Sequence, residues 1–173
     1  MSEKKYVLTG EIADKKLRRM ALQVAEQNCD ADKLVLIGIK DNGLVIAHKI
    51  RAYLQGVFSG QVSVVELALN KKKPMLVNLD PAMDFNGKSI LLIDDVANSG
   101  KTMLYALKPL LETYPKKIQT LVLVERTHKS FPIAVDYVGI SISTALDEHI
   151  TVEVNNGEVG GAWVEATPAI ESH

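Results

Sequence analysis

The sequence predicts an α/β fold: a mostly parallel sheet with helices on both faces, plus a small C-terminal β hood. Three observations predict it. Short apolar runs at Leu34–Ile39, Val62–Leu67, Ile90–Ile93 and Ile118–Val124 read as buried strands, and helical patterns separate most of them. Two of these runs end in a tight polar turn that leads directly into a helical pattern. In an open α/β sheet, such turns line the ligand crevice at the carboxyl ends of the strands. Beyond residue 149 the pattern changes: Ile150–Val154, Asn155-Asn156-Gly157 and the stretch from Glu158 read as a hairpin on an Asn-Gly turn.

A chain of 173 residues predicts a single domain over residues 1–173, large enough to bury a core without disulfides. The formal net charge of -1 provides no global field for nucleic acid, so only a local basic patch could serve that purpose. The one cysteine, Cys29, excludes an intrachain disulfide framework and fits a reduced, cytoplasmic setting. The start of the chain has basic residues without an apolar stretch behind them, and no apolar run approaches membrane-spanning length. A soluble protein without a membrane partner is expected.

Taken in order, Asp14 reads as the N-cap of a helix reaching about Asn28, with Leu17, Met20, Ala21, Val24 and Ala25 on one face. Lys15, Lys16, Arg18 and Arg19 fall largely opposite. Such a face is usually a solvated surface, and its functional alternative is a contact for RNA phosphates. The Leu34–Ile39 strand runs into Lys40-Asp41-Asn42-Gly43, followed by a helix through Leu44, Ala47, Ile50 and Leu54. After Val62–Leu67 the pattern breaks. Residues 68–87 carry Lys71-Lys72-Lys73-Pro74, a short strand candidate at Met75–Leu79 and an Asn86-Gly87 turn, giving a hairpin-like excursion.

The stretch around which the rest is organised is residues 89–107. Its apolar run ends in Asp94 and Asp95, a small-residue turn follows at Ala97-Asn98-Ser99-Gly100, and a helix is expected from near Ser99 through Met103, Leu107 and Leu110/Leu111. Backbone N–H groups at a helix start attract an anion, Gly100 lets the backbone approach it, and the Ser99 and Thr102 hydroxyls can donate to phosphate oxygens. Two acids beside a phosphate would repel it unless they serve another group. Vicinal ribose hydroxyls or hydrated Mg²⁺ would be such a group. The implied ligand has a 5′-phosphate, a free 2′,3′-diol and a metal. Gly100-Lys101-Thr102 is not a Walker A loop, because the position that needs its first glycine is Asp95.

This run resembles the phosphoribosyl-pyrophosphate (PRPP) signature of the type I phosphoribosyltransferases. The resemblance implies that Asp94 and Asp95 hold the ribose diol and, through water, Mg²⁺, and that Ala97, Asn98, Ser99, Gly100, Lys101 and Thr102 wrap the 5′-phosphate. It makes Lys40, Asp41, Asn42 and Gly43 the pyrophosphate loop, a turn that often carries a non-proline cis peptide. It also makes residues 68–87 a mobile loop that closes over PRPP, with the lysines at 71–73 reaching the pyrophosphate.

The segment Val124 to Thr144 is similar to that of the bifunctional pyrimidine-operon attenuator/uracil phosphoribosyltransferases, as is Leu36–Gly43. That likeness implies transfer from PRPP to uracil, with Arg126 and His128 bordering the active site. The backbone of Val138, Gly139 and Ile140 would lie against the base, and hood elements would span about residues 126–165. It further implies at least a homodimer. Three departures from the pattern stand out. Asp41-Asn42 stands for Thr-Arg, Leu22 and Gln27 stand where His and Arg are expected on the RNA face, and Ile142-Ser143-Thr144 stands for Ile-Pro-Thr. The first removes a cation suited to pyrophosphate, and the second weakens the case for RNA. Two alternatives to the uracil enzyme stay open: a nucleotide-sensing RNA-binding regulator, and a purine phosphoribosyltransferase, since Val135–Gly139 also resembles the base-binding segment of the hypoxanthine-guanine enzymes. No Ser-His-Asp or Cys-His spacing suggests a covalent nucleophile.

Overall fold

In the computed structural model, which describes residues 3–80 and 83–167, the chain begins with a strand, β1 (Lys5–Thr9), that the sequence pattern did not reveal. Helix α1 follows at Gly10–Gln27, with its N-cap at Thr9 rather than at Asp14. The correction has a simple cause. The Thr9 hydroxyl accepts from the Ile12 N–H and caps the helix first, which leaves Asp14 one turn inside it, bonded to Arg18 and Tyr53.

The remaining elements are β2 (Lys33–Ile39), α2 (Asn42–Leu54), β3 (Gln61–Leu69), β4 (Val77–Asn78), β5 (Ser89–Ala97), α3 (Lys101–Ala106), β6 (Lys117–Arg126), β7 (Tyr137–Ile142), β8 (Glu148–Asn155) and β9 (Glu158–Ala166). Six of the strands form one sheet in the order β4-β3-β2-β5-β6-β7. All its pairings are parallel except β3–β4, which is the hairpin expected within residues 68–87. The strands β2 and β5 lie at its centre and are apolar on both faces, as a doubly covered parallel sheet requires.

Helices cover both faces. On one, α1 and α2 bury Leu17, Met20, Val24, Ile46 and Ile50 against Leu34, Leu36, Leu91, Ile93, Leu121 and Leu123. On the other, Met103, Ala106 and Leu110 pack with Phe85 against Val35, Ile37, Ile90, Leu92 and Val122. The alternation of even and odd positions along β2 and β5 between these two clusters is the period-2 geometry of a strand.

Two expectations around β5 are corrected. The strand does not stop before the acids: it runs through Asp94 and Asp95 to Ala97, because β6 continues to pair with it up to Ala97↔Glu125. The helix begins at Lys101 rather than near Ser99 and ends at Ala106. A 3-10 turn replaces its expected continuation at Lys108–Glu112, where Pro109 lacks the N–H that an α-helix would use.

The hood is also corrected. Residues 137–142 belong to the main sheet as its edge strand β7, and the hood proper is a separate antiparallel sheet in the order β1-β9-β8. The N-terminal strand is thus a member of the hood, paired Lys5↔Val164 to Thr9↔Gly161. Its hairpin turns on Asn156 and Gly157 as expected, both with positive φ, 50° and 76°. Ala166 lies within β9, and residues 168–173 fall outside the described residues. The hood is not an appendage, since Leu8, Ile150, Val152, Val159, Ala162 and Val164 join the α1–α2 core directly.

Candidate active site

The carboxyl ends of β2 and β5 meet where α2 begins. Gly43 makes that approach possible: a Cβ there would lie 2.7 Å from the Ile93 carbonyl oxygen and 3.0 Å from the Asp94 Cα. Gly38 acts likewise near the end of β2, where a Cβ would stand 2.5 Å from the Leu44 Cα. These two positions press the start of α2 onto the sheet and aim Asn42 at the end of β5. Its side-chain amide donates to the Asp95 carboxylate at 2.9 Å and to the Val152 carbonyl of the hood at 3.1 Å. The Lys40-Asp41 peptide is cis.

Asp94 and Asp95 are both buried, and each carboxylate accepts from the next backbone N–H, those of Asp95 and Val96, at 2.8 Å. Their principal cation is Lys71, whose ammonium lies 3.1 Å and 3.4 Å from the two Asp94 oxygens and 3.7 Å from Asp95 Oδ1. Burial raises the Asp94 carboxyl well above the usual carboxylate range, and the adjacent Asp95 charge adds to this, while Lys71 opposes both. Burial pulls Lys71 the other way, yet the charges of Asp94 and Asp95 outweigh it and hold its ammonium above the ordinary lysine value.

The turn after β5 bends at Gly100, whose φ of 83° is left-handed. Ser99 Oγ accepts from the Lys101 N–H, and the Ser99 carbonyl accepts from the N–H groups of Ser130 and Phe131. Asn98 reaches across to the hood, donating to the Ile150 carbonyl and accepting from the Ile150 N–H at 3.1 Å. The hood's open edge strand, β8, is therefore satisfied by two asparagines, Asn42 and Asn98, from the two crevice turns.

A cavity of about 360 Å³ opens among these groups, within the range of small-molecule sites. Of the residues expected at the 5′-phosphate and ribose, Asp94, Asp95, Ala97, Asn98, Ser99, Gly100 and Thr102 line it; Lys101 does not. The other wall is Ile150, Thr151 and Val152 of β8. A second groove, contiguous through Asn42 and Lys71, is lined by Lys40, Asp41 and Leu69. Lys40 has Glu66 as its ion partner at 3.9 Å, and Gly43 is buried beneath.

The remaining expected site residues lie elsewhere. Arg126 is turned toward the hood loop, donating to the Thr144 hydroxyl and to the Ala145 and Glu148 carbonyls. His128 is exposed. Val138, Gly139 and Ile140 lie on edge strand β7 outside the cavity lining, and the carbonyls of Val138 and Gly139 accept from Arg19 of α1 at 2.9 Å and 3.1 Å. Sequence reasoning missed the Lys71 pairing with the acids, although the lysine run signalled excess positive charge. It placed β8 within the hood by its Asn-Gly hairpin but did not single it out as the strand that forms the cavity wall.

Two adjacent carboxylates, with one ammonium against them, are a donor set that could hold a hard divalent cation retaining several waters. Among the described residues no group of three or more acids, histidines or cysteines could cage a metal by itself. No helix of the described residues is long and apolar enough to cross a membrane.

The phosphoribosyl transferase domain family matches residues 6–156 of this chain. The chain belongs to that family. Its curated relatives include the bifunctional protein PyrR of Bacillus cereus (strain AH820) and that of Bacillus thuringiensis subsp. konkukian (strain 97-27). Each is 32% identical over 166 residues, covering 89% of this chain and 92% of the relative. Among solved structures, the hypoxanthine phosphoribosyltransferase of Trypanosoma cruzi superposes with a TM-score of 0.77 at 18% identity, covering 94% of this chain and 97% of that one. A hypoxanthine-guanine phosphoribosyltransferase of Bacillus anthracis gives 0.74 at 17% identity, covering 96% and 99%. At such identities these structures establish the fold alone. The expected fold class and the phosphoribosyltransferase resemblance are both borne out, and the family's reaction class is phosphoribosyl transfer.

Proposed function

We propose that this protein transfers the phosphoribosyl group of PRPP to uracil, giving UMP and pyrophosphate. The observation that carries the reading is one cavity that brings three features together: the Asp94/Asp95 pair, the small-residue turn bent at Gly100 and the hood strand β8. The turn backbone with the Ser99 and Thr102 hydroxyls receives the 5′-phosphate, and the two carboxylates accept from the ribose diol, which fixes C1′ between the groove and the hood. In the reaction the C1′–oxygen bond to pyrophosphate breaks with its electron pair leaving on the diphosphate. N1 of uracil bonds to C1′ and loses its proton. Positive charge develops on the sugar as the bond lengthens, beside two carboxylates placed to stabilise it. Asp94 and Asp95 would hold Mg²⁺ through water, and its charge would offset that of the diphosphate. No covalent nucleophile is required.

The choice of uracil rests on the likeness of Val124–Thr144 to the uracil enzymes and on relatives named PyrR. The RNA-regulator reading finds little support in α1. Lys15 pairs with Glu11, Arg18 pairs with Asp14 and Arg19 is bonded to the β7 backbone, so three of its four basic residues have partners within the chain.

The test is product formation from PRPP and Mg²⁺ with uracil, hypoxanthine, guanine and adenine in separate reactions. UMP from uracil alone is expected. Purine nucleotides instead would transfer the assignment to the purine enzymes, and silence with every base alongside intact UMP binding would make the protein a sensor.

A further inference from the structure

We propose that Lys71 is an exchangeable internal counter-ion. In the free protein its ammonium holds the ribose and cation position between Asp94 and Asp95, and sugar binding moves it into the Lys40–Asn42 groove, where it meets the diphosphate. This rests on the function proposed above and adds to the pyrophosphate contact expected of the lysines at 71–73 a second place for Lys71, against the acids of the free protein.

Three observations lead there. The first is competition for the same atoms. A ribose diol or a hydrated cation must use the oxygens of Asp94 and Asp95, and the Lys71 ammonium already sits within 3.7 Å of three of them. Both occupants cannot be accommodated. With Lys71 in place the Asp94 side chain is 1% exposed, so loss of the ammonium without a replacement would leave a buried carboxylate without its cation, and an arriving diol or cation favours the exchange.

The second is that one side chain borders both places. Lys71 follows the end of β3 at an Asx turn, where Asn70 Oδ1 accepts from the N–H groups of Lys72 and Lys73. That turn anchors the backbone, while the Lys71 side chain stays 42% exposed and lines both the main cavity and the adjoining groove. A rotation of its flexible stem carries the charge from one to the other without moving the sheet.

The third is what the groove lacks. Of its other lining residues, Lys40 has Glu66 as a partner, Asp41 is acidic, Asn42 is bonded to Asp95 and Leu69 is apolar. A diphosphate leaving into this groove carries more charge than Lys40 alone offsets, and Lys71 is the second cation that sugar binding would release there.

The experiment is calorimetric titration of the full chain and of K71M and K71Q with two ligands in the presence of Mg²⁺: ribose 5-phosphate, which has the diol and phosphate without the diphosphate, and PRPP. Circular dichroism first establishes that each variant is folded. With the competitor removed, ribose 5-phosphate is expected to bind more tightly, while PRPP loses its diphosphate partner; unchanged ribose 5-phosphate binding would overturn the exchange. The ratio of the two affinities should fall by about tenfold or more in both variants. Equal weakening of both ligands, or no change in either, would overturn the exchange and leave the proposed function standing. Failure of the unaltered chain to bind either ligand would overturn both.

Discussion

The two crevice turns, Lys40–Gly43 after β2 and Asn98–Gly100 after β5, look alike in sequence and are built differently. Both follow a central parallel strand, precede a helix and depend on a glycine. In the β5 turn, Gly100 supplies a left-handed backbone conformation, with a φ of 83°, that turns one side of the bend to the cavity while the other packs against the Ile133 side chain. In the β2 turn, Gly43 supplies proximity, with the helix pressed onto the end of β5 and no room left for a side chain. The first turn makes a site, and the second braces it. This division explains why Asn42 sends its amide to Asp95 and Val152 rather than into its own groove.

The largest expected effect falls on the acids beside the first turn. Replacing both Asp94 and Asp95 with Asn should weaken PRPP binding by about 100-fold or more, since charge-assisted acceptors for a diol and a cation are lost together. Calorimetry on the double variant reads this, and unchanged affinity would refute the division of labour. The glycines come next. Gly43→Ala places a methyl group against backbone atoms that cannot yield, and Gly100→Ala forces an unfavourable φ and meets the Ile133 side chain 2.4 Å away. Each should cost about 1–3 kcal/mol in urea unfolding, G43A the more, because a side chain gives way more easily than a carbonyl.

A smaller effect separates bracing from binding. Asn42→Ala removes one hydrogen bond to Asp95 and one to the hood, which should cost about 1–2 kcal/mol in stability. Hydrogen exchange should then rise in β8 before it rises in β5; exchange rising first in β5 would place the brace elsewhere.

The smallest effect has the opposite sign. Asp94 carries its proton more tightly when folded than when unfolded, so its contribution to stability is most favourable at low pH and declines as pH rises above the ordinary carboxylate value. D94N removes that dependence. Its stability relative to the unaltered chain should improve progressively from about pH 4 toward neutrality, as chemical denaturation at several pH values would show. A difference that shrinks over the same range would mean that Lys71 more than compensates for the burial of Asp94.

Local sequence was enough to reveal the parallel strands, the Asp94/Asp95 pair, the glycine turn after β5 and the Asn156-Gly157 hairpin. Each is a local property: an apolar run of strand length, adjacent charges at its end, a residue free to take positive φ. Local reading also placed the Lys40–Gly43 turn beside the site, because turns at the carboxyl ends of central strands converge in this architecture. Where it erred, a neighbour distant in sequence had usually decided the outcome. Asp14 lost the N-cap to nearby Thr9, but β5 passed through its acids only because β6 went on pairing with it. The N-terminal strand entered the hood because β9, at the far end of the chain, offered an edge. Lys71 found the acids 23 and 24 residues away across a hairpin, and β8 closed the cavity by lending its open edge to Asn42 and Asn98. Hydrogen-bonding edges and buried charges take whatever partner the packed fold brings within reach, and only the tertiary structure says which partner that is.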